Sequence, residues 1–77
     1  MTLQVAHSVD ARGLACPMPI IKAAQAVRTL AAGELVEILA TDAGSRADFA
    51  AWSRTTGNEL VESSEHDGVY RFVLRRK

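Results

Sequence analysis

Cysteine is scarce in this chain, and Cys16 is the only one among 77 residues. A single cysteine excludes an internal disulfide, so a fold of this size must be held by a small hydrophobic core alone. Residues 1–10 contain no basic start followed by an apolar stretch, so we expect no secretory signal and a reducing, cytoplasmic location. We also expect no metal site, because Cys16, His7 and His66 do not form a usual ligand cluster.

Net charge is zero, aromatic side chains are few, and long apolar runs are absent. Nine basic residues balance nine acidic ones and aromatics make up 5% of the chain, which argues against a protein built mainly to bind nucleic acid. No apolar run approaches the roughly 20 residues that cross a bilayer, so we expect no membrane insertion. The 48% hydrophobic and 23% charged residues instead indicate an ordinary globular protein, and we expect residues 1–77 to form one domain.

The hydropathy pattern predicts four strands and two helices. Strands are expected over 3–9, 35–41, 60–64 and 69–75, and helices over 17–31 and from 45 to near 57. Asp67-Gly68, between the last two strands, is a typical hairpin turn. The order β-α-β-α-β-β favours an α/β fold of the α+β two-layer sandwich type, with a four-stranded mixed sheet and two helices on one face. The first two strands are expected to be parallel.

Some side chains have specific expected places in this scheme. His7 falls on the apolar face of the first strand, where we expect a packed, hydrogen-bonded histidine. Gly33 is expected to end the first helix, and Ser45 and Asp48 are expected to form a capping box at the start of the second. The apolar face of the first helix is expected to contain Ile20, Ala24, Val27 and Ala31, and that of the second Phe49 and Trp52.

The parallel first two strands would bring several polar and reactive residues together. Asp10, the loop around Gly13, Cys16 and Asp42 all follow strand ends that meet at one edge of the sheet. This edge is where α/β proteins usually place their chemistry.

The segment Cys16-Pro17-Met18-Pro19 is the strongest candidate site. We expect Cys16 at the N-cap, Pro17 at the first helical position and Pro19 at the third, which would leave the N–H groups of Met18 and Ile20 free. The helix dipole favours the thiolate of Cys16, whereas apolar neighbours such as Ala15 oppose it. The sequence leaves the net direction open.

Proline at position 19 also constrains the chemistry of Cys16. It occupies the place where a C-x-x-C motif has its resolving thiol. A sulfur atom held on Cys16 as a persulfide therefore meets no internal thiol and must wait for one from a partner. The alternative is that Cys16 is an ordinary buried small residue.

Residues 10–19, Asp-Ala-Arg-Gly-Leu-Ala-Cys-Pro-Met-Pro, closely resemble the signature of the TusA/SirA-like sulfur-carrier family. The resemblance extends over nearly the whole chain and implies a fold similar to the C-terminal domain of translation initiation factor 3. It implies that Cys16 accepts sulfane sulfur from a cysteine desulfurase or a rhodanese. The acceptor would be a sulfur-relay or thiosulfate- and sulfur-metabolism protein. The protein would have sulfurtransferase-type activity as a sulfur carrier and would not be a stand-alone enzyme. We expect no cofactor.

The resemblance leaves the pathway open between tRNA 2-thiolation, thiosulfate use and sulfur oxidation. Met18 stands where the tRNA-thiolating branch often has an acidic residue, and Asp42-Ala43-Gly44 replaces a more usual Asp-Asp-Pro. Residues 52–58 look more like relatives linked to rhodanese-type and thiosulfate-linked proteins.

The residues around Cys16 have both functional and structural interpretations. Pro17, Pro19 and Gly13 are expected to shape its loop. Asp10 and Arg12 either contact partners or pair with each other, and we favour pairing. Asp42, with Asp48, either steers a basic partner towards Cys16 or serves as a strand-end or cap residue.

Two further functions compete with sulfur carriage. An RNA-binding module is suggested by the fold resemblance and by a basic C-terminus formed by Arg71, Arg75, Arg76 and Lys77, although a solvated strand end explains those charges as well. A thiol-dependent regulatory protein would use Cys16 to sense oxidants.

Overall fold

The computed structural model of the protein describes residues 4–77. The predicted order of elements is confirmed, and Leu3, the first residue of the first predicted strand, lies outside the described residues. In chain order the elements are β1 (His7–Ala11), α1 (Met18–Val27), β2 (Leu35–Ala40), α2 (Ser45–Thr56), β3 (Glu59–His66) and β4 (Val69–Arg75).

The four strands form one mixed sheet in the order β1-β2-β4-β3. β1 is parallel to β2, whereas β4 is antiparallel to both β2 and β3. Alternate residues of β2 and β4 are buried in one core with both helices, which confirms the two-layer fold. This core includes Val36, Ile38, Ala40, Phe72 and Leu74 from the sheet and Ala23, Ala26, Val27 and Phe49 from the helices.

The β3–β4 hairpin turns at Asp67-Gly68, as predicted. His66 pairs with Val69, and the turn residues have φ angles of 50° and 79°. Positive φ at both positions is the geometry of a type I′ turn, which matches the twist of the flanking strands. β3 extends beyond the predicted 60–64 because pairing continues up to this turn.

β1 begins later and ends later than predicted. It starts at His7 and includes Asp10 and Ala11, which were expected in the following loop. The expectation for His7 is wrong, because its side chain is exposed; β1 is an edge strand, and among residues 4–77 no element covers it from the outside. Of the two residues on the predicted apolar face that lie within β1, His7 and Val9, only Val9 packs against the core.

α1 is shorter than predicted, and its buried face only partly matches the predicted one: Val27 is buried and Ile20 packs against the core, whereas Ala31 is exposed. It ends at Val27, four residues before 31, because Thr29 and Leu30 turn back through bonds to the carbonyls of Ala26 and Val27. Gly33 has a φ of 87° but lies in the connection to β2, so it does not end the helix. The buried residues of α1 are Pro19, Ala23, Ala26 and Val27.

α2 begins differently from the prediction and ends as predicted. Its N-cap is Gly44, and Ser45 is the first helical residue with no side-chain cap bond, so the capping box is wrong. Asp42 instead forms a turn just before the helix, because its Oδ2 accepts the Gly44 N–H at 3.1 Å. The helix ends at Thr56, after which Gly57 is left-handed with a φ of 80°. In residues 4–77, neither helix is long and apolar enough to span a membrane.

Candidate functional site

The loop between β1 and α1 positions Cys16 by a few backbone bonds. The Leu14 N–H donates to the Ala11 carbonyl at 3.3 Å, and the Leu14 side chain packs against the core. Gly13 has a φ of 80°, and its N–H donates to Thr41 Oγ1 at 2.9 Å, directly after β2. The ends of β1 and β2 are therefore tied together beneath the cysteine loop.

Cys16 is exposed at the start of α1, so the buried alternative is wrong. The N-cap is Pro17, with Pro19 in the first helical turn. Cys16 therefore lies one residue earlier than predicted, and its peptide bond to Pro17 is cis. The Met18 N–H is not free as expected, because it donates to the Ala15 carbonyl at 2.9 Å.

The start of α2 brings two carboxylates to Cys16. A hydrogen bond from the thiol to the Asp48 carboxylate, partial desolvation, and the negative charges of Asp48 and Asp42 together raise the pKa of Cys16 above its ordinary value. The dipole of α1 acts in the opposite direction. The direction that the sequence left open is therefore set towards the neutral thiol.

Asp10 and Arg12 form a pair within the loop. Arg12 Nε and Nη2 donate to the two carboxylate oxygens of Asp10 at 2.8 and 3.0 Å, and the Arg12 N–H donates to Asp10 Oδ1 at 3.1 Å. These bonds lower the pKa of Asp10 to about 2. Both side chains are more than half exposed, at 58% and 53%, so the pair holds the loop at the surface while remaining accessible.

An apolar surface beside Cys16 was not predicted. Met18 and Ile21 are each 40% exposed and are the large hydrophobic residues in the described chain that face solvent. They are three positions apart on α1 and therefore share one side of the helix. The apolar character of both residues is evident in the sequence, but an alanine-rich helix does not show which of its sides will be buried.

The basic C-terminus is engaged in contacts within the molecule. Arg71 pairs with Glu37 and Glu62 across the sheet, and Arg75 pairs with Glu59 at 3.0 Å. Arg76 donates to the Leu30 and Arg28 carbonyls after α1. Two of these four positive charges, those of Arg71 and Arg75, are therefore paired with carboxylates. Within residues 4–77 no group of three potential ligands could hold a metal ion.

Comparison with known proteins links the whole described chain to one family. A model of the family described as "Sulfurtransferase TusA" matches residues 7–76. The chain is 41% identical over 70 residues to "Sulfur carrier protein TusA" of Allochromatium vinosum, covering 91% of this chain and 92% of that protein. It is 40% identical over 77 residues to the protein of the same name from Pseudomonas aeruginosa, covering 100% and 98%.

A solved structure matches the fold as well. The crystal structure of a SirA-like protein from Desulfitobacterium hafniense superposes with a TM-score of 0.80 at 31% sequence identity. The match covers 90% of this chain and 95% of that one.

Proposed function

Because the chain belongs to the TusA sulfurtransferase family, we propose that it carries sulfane sulfur as a persulfide on Cys16 and passes it to an acceptor protein. The observation that carries this proposal is an exposed cysteine at the start of α1 with no second cysteine in the chain. A solitary exposed thiol can receive sulfur and can release it only to another molecule.

Both transfers use the same chemistry. In loading, the Cys16 thiolate attacks the outer sulfur of a donor persulfide, the donor's S–S bond breaks, and the donor leaves as a thiolate. In unloading, an acceptor thiolate attacks the outer sulfur on Cys16, and Cys16 leaves as a thiolate that takes up a proton. No electrons are gained or lost overall, so thiol chemistry is sufficient and no cofactor is needed.

The carboxylates beside Cys16 make the isolated carrier slow to exchange. A raised pKa of Cys16 lowers its thiolate fraction during loading and makes it a poorer leaving group during unloading. The charges of Asp42 and Asp48 also repel anionic thiolates from solution. Basic groups of the partner placed directly against Asp42 and Asp48 would offset both effects, so transfer would be fast only within the proper complex.

The partners follow from this chemistry. We propose a cysteine desulfurase or a rhodanese as donor, and a sulfur-relay or thiosulfate- and sulfur-metabolism protein as acceptor, in the cytoplasm. Met18 and Ile21, exposed next to Cys16, would provide apolar contact. Residues 1–77 would act as a single domain, with Pro17, Pro19, Gly13, Asp10, Arg12 and Asp42 shaping the site. The route could end in tRNA 2-thiolation, thiosulfate use or sulfur oxidation.

Neither competing function has comparable support. An RNA-binding module would need free basic residues, but Arg71, Arg75 and Arg76 are engaged within the molecule. An oxidant sensor needs a thiol with strong thiolate character, which the carboxylates beside Cys16 disfavour.

Loading in vitro tests the proposal. The protein is incubated with a cysteine desulfurase and cysteine, or with a rhodanese and thiosulfate, and weighed intact. We expect an adduct with the mass of one sulfur atom that dithiothreitol removes, and no adduct on Cys16→Ser. The proposal fails if neither donor loads the native protein, or if Cys16→Ser still acquires the sulfur.

A further inference from the structure

β1 has one side that no other strand occupies. It is the first strand in the order β1-β2-β4-β3 and pairs with β2 alone. The opposite edge strand, β3, contains a register shift between Leu60 and Glu62 and several glutamates, features that discourage pairing with another chain. β1 has neither a bulge nor a proline.

The backbone groups on the open side of β1 can be identified from the register. The Arg76 N–H donates to the Glu34 carbonyl at 2.9 Å, in line with the pairing of Leu35 with Arg75. Because bonding directions alternate along a strand, the even-numbered residues of β2 bond to β4 and the odd-numbered ones bond to β1.

The same alternation applies to β1. His7 is paired with Val36 in the parallel ladder, so His7, Val9 and Ala11 exchange bonds with the odd-numbered residues of β2. Ser8 and Asp10 therefore direct their N–H and C=O groups away from the sheet. By this alternation, these four groups take no part in the β1–β2 ladder.

A cleft runs beside these groups, between β1 and α1. It has a volume of about 270 Å³ and is called the β1–α1 cleft below. Its floor contains Ala26 and Val9, and its rim contains longer polar side chains. The full lining is His7, Val9, Lys22, Gln25, Ala26 and Thr29.

The cleft leads towards Cys16. β1 ends, and α1 begins, on either side of the loop that contains the cysteine. Gln25 lies about 10 Å along the helix from Met18, a length that about three extended residues cover. If an extended segment paired with β1 and lay in the cleft, a residue about three positions beyond the paired stretch of that segment would therefore reach Cys16.

The charge of the cleft selects its occupant. Lys22 is the only lysine or arginine that lines the cleft, and no carboxylate lines it. A glutamate or aspartate on the occupant would pair with Lys22.

We propose that the free edge of β1 and the β1–α1 cleft bind an extended, acidic, cysteine-bearing segment of a sulfur-transfer partner by strand addition. Ser8 and Asp10 supply the main-chain hydrogen bonds, and alternate side chains of the segment enter the cleft. The expectation that this segment contains a cysteine rests on the proposed carrier function, whereas the strand addition does not depend on it. Met18 and Ile21 do not line the cleft.

The test uses a non-covalent probe, so that it does not depend on sulfur transfer. The probe is a capped peptide of about eight residues that alternates valine with glutamate and has serine in place of cysteine. Amide exchange of the isotope-labelled protein is followed by NMR. We expect the Ser8 and Asp10 amides to exchange about tenfold more slowly at saturating peptide, while the Val9 amide, already bonded to β2, changes little.

Two variants and one altered peptide sharpen the result. Lys22→Glu should weaken binding about fivefold, whereas Arg54→Glu, the same charge change on α2, should not. Ser8→Pro removes an outward N–H without breaking the β1–β2 ladder, so it should abolish binding that Ser8→Ala retains. If Ser8→Pro does not fold, a peptide N-methylated at alternate residues tests the same bonds with the native protein.

The outcomes separate this proposal from the carrier function. Absence of peptide binding, or peptide-induced changes confined to Met18 and Ile21, would overturn strand addition even if Cys16 loads with sulfur. Protection of Ser8 and Asp10 that Lys22→Glu weakens would support it even if Cys16 does not load.

Discussion

The thiol of Cys16 lies between two opposing influences, the start of α1 and the carboxylates at the start of α2. The helix start favours a thiolate, whereas the bond to Asp48 and the charges of Asp48 and Asp42 favour the neutral thiol and raise its pKa. A sulfur carrier benefits from this balance, because a protected persulfide survives between donor and acceptor.

Asp48→Asn should make Cys16 more reactive. The substitution removes the nearest negative charge and replaces a charged hydrogen-bond acceptor with the weaker amide oxygen of asparagine, so the pKa of Cys16 should fall. For each unit of this fall, iodoacetamide alkylation near neutral pH should accelerate by about threefold, because tenfold more thiolate is offset by its lower nucleophilicity. Alkylation rates measured over a range of pH give both the pKa of Cys16 and the acceleration near neutral pH. Asp67→Asn, in the distant hairpin turn, is the matched control, and an unchanged or raised pKa in Asp48→Asn would contradict the prediction.

Ser45→Ala should not destabilise the protein. Ser45 is buried, at 1% exposure, and its Oγ has no hydrogen-bond partner in residues 4–77. Removing an unsatisfied hydroxyl should leave the free energy of unfolding unchanged or raise it by up to about 1 kcal/mol. If Ser45 were the N-cap that the sequence predicts, the same change would cost about 1 kcal/mol. Urea unfolding therefore distinguishes the two roles by the sign of the change.

The sequence predicted the position of Cys16 near a helix start but not its surroundings. The prolines after Cys16 predicted its place near a helix start, since proline is favoured there whatever the tertiary fold. The direction of its pKa shift could not be predicted, because Asp48 reaches the thiol from another helix. The spacing of Asp48 from Ser45 predicted a capping role for Asp48. Because Asp42 and Gly44 form the turn before α2 instead, the Asp48 carboxylate is available to Cys16.

At the level of elements, the strands and the hairpin were predicted better than the helix faces. Turn chemistry at Asp67-Gly68 and buried β-branched runs are local signals. The face of α1 is not, because Ala23, Ala24 and Ala26 contribute little preference for either side. The sheet decides which of them is buried, and the choice of Ala23 and Ala26 leaves Ile21 exposed.

Arg76→Ala should destabilise the end of α1. The guanidinium of Arg76 donates to the carbonyls of Leu30 and Arg28, groups that the helix itself leaves unpaired at its C-terminus. Its loss should cost about 1–2 kcal/mol in the free energy of unfolding. Lys77→Ala is the control, because it removes a neighbouring charge while the bond of the Lys77 N–H to Asn58 remains. Equal effects of the two substitutions in thermal unfolding would contradict the capping role.

At the scale of the whole molecule, the sheet has one face under the helices and one face without them. On the open face a row of polar side chains crosses all four strands, from Ser8 through Glu37 to Arg71 and on to Glu62. Val73, in the same sheet face, is nevertheless fully buried. The row therefore covers apolar surface that would otherwise be exposed beside the free edge of β1. The residues that face each other across the strands in this row depend on the register of the sheet. The register could not be predicted from the order of the elements alone.

Arg71→Ala tests this row through its pH dependence. Hydrogen bonds from Arg71 and then from Ser8 lower the pKa of Glu37, so the pair stabilises the fold above the ordinary glutamate pKa of about 4 and loses that effect as pH falls through the lower, folded-state pKa. At neutral pH the substitution should cost about 1–2 kcal/mol, between an exposed and a buried pair. Urea unfolding at a series of pH values should show this difference shrinking towards acid pH. Arg75→Ala, which breaks the more exposed pair with Glu59, should cost less. A loss that stays constant down to strongly acid pH would mean that Arg71 acts by packing over Val73 and not by its charge.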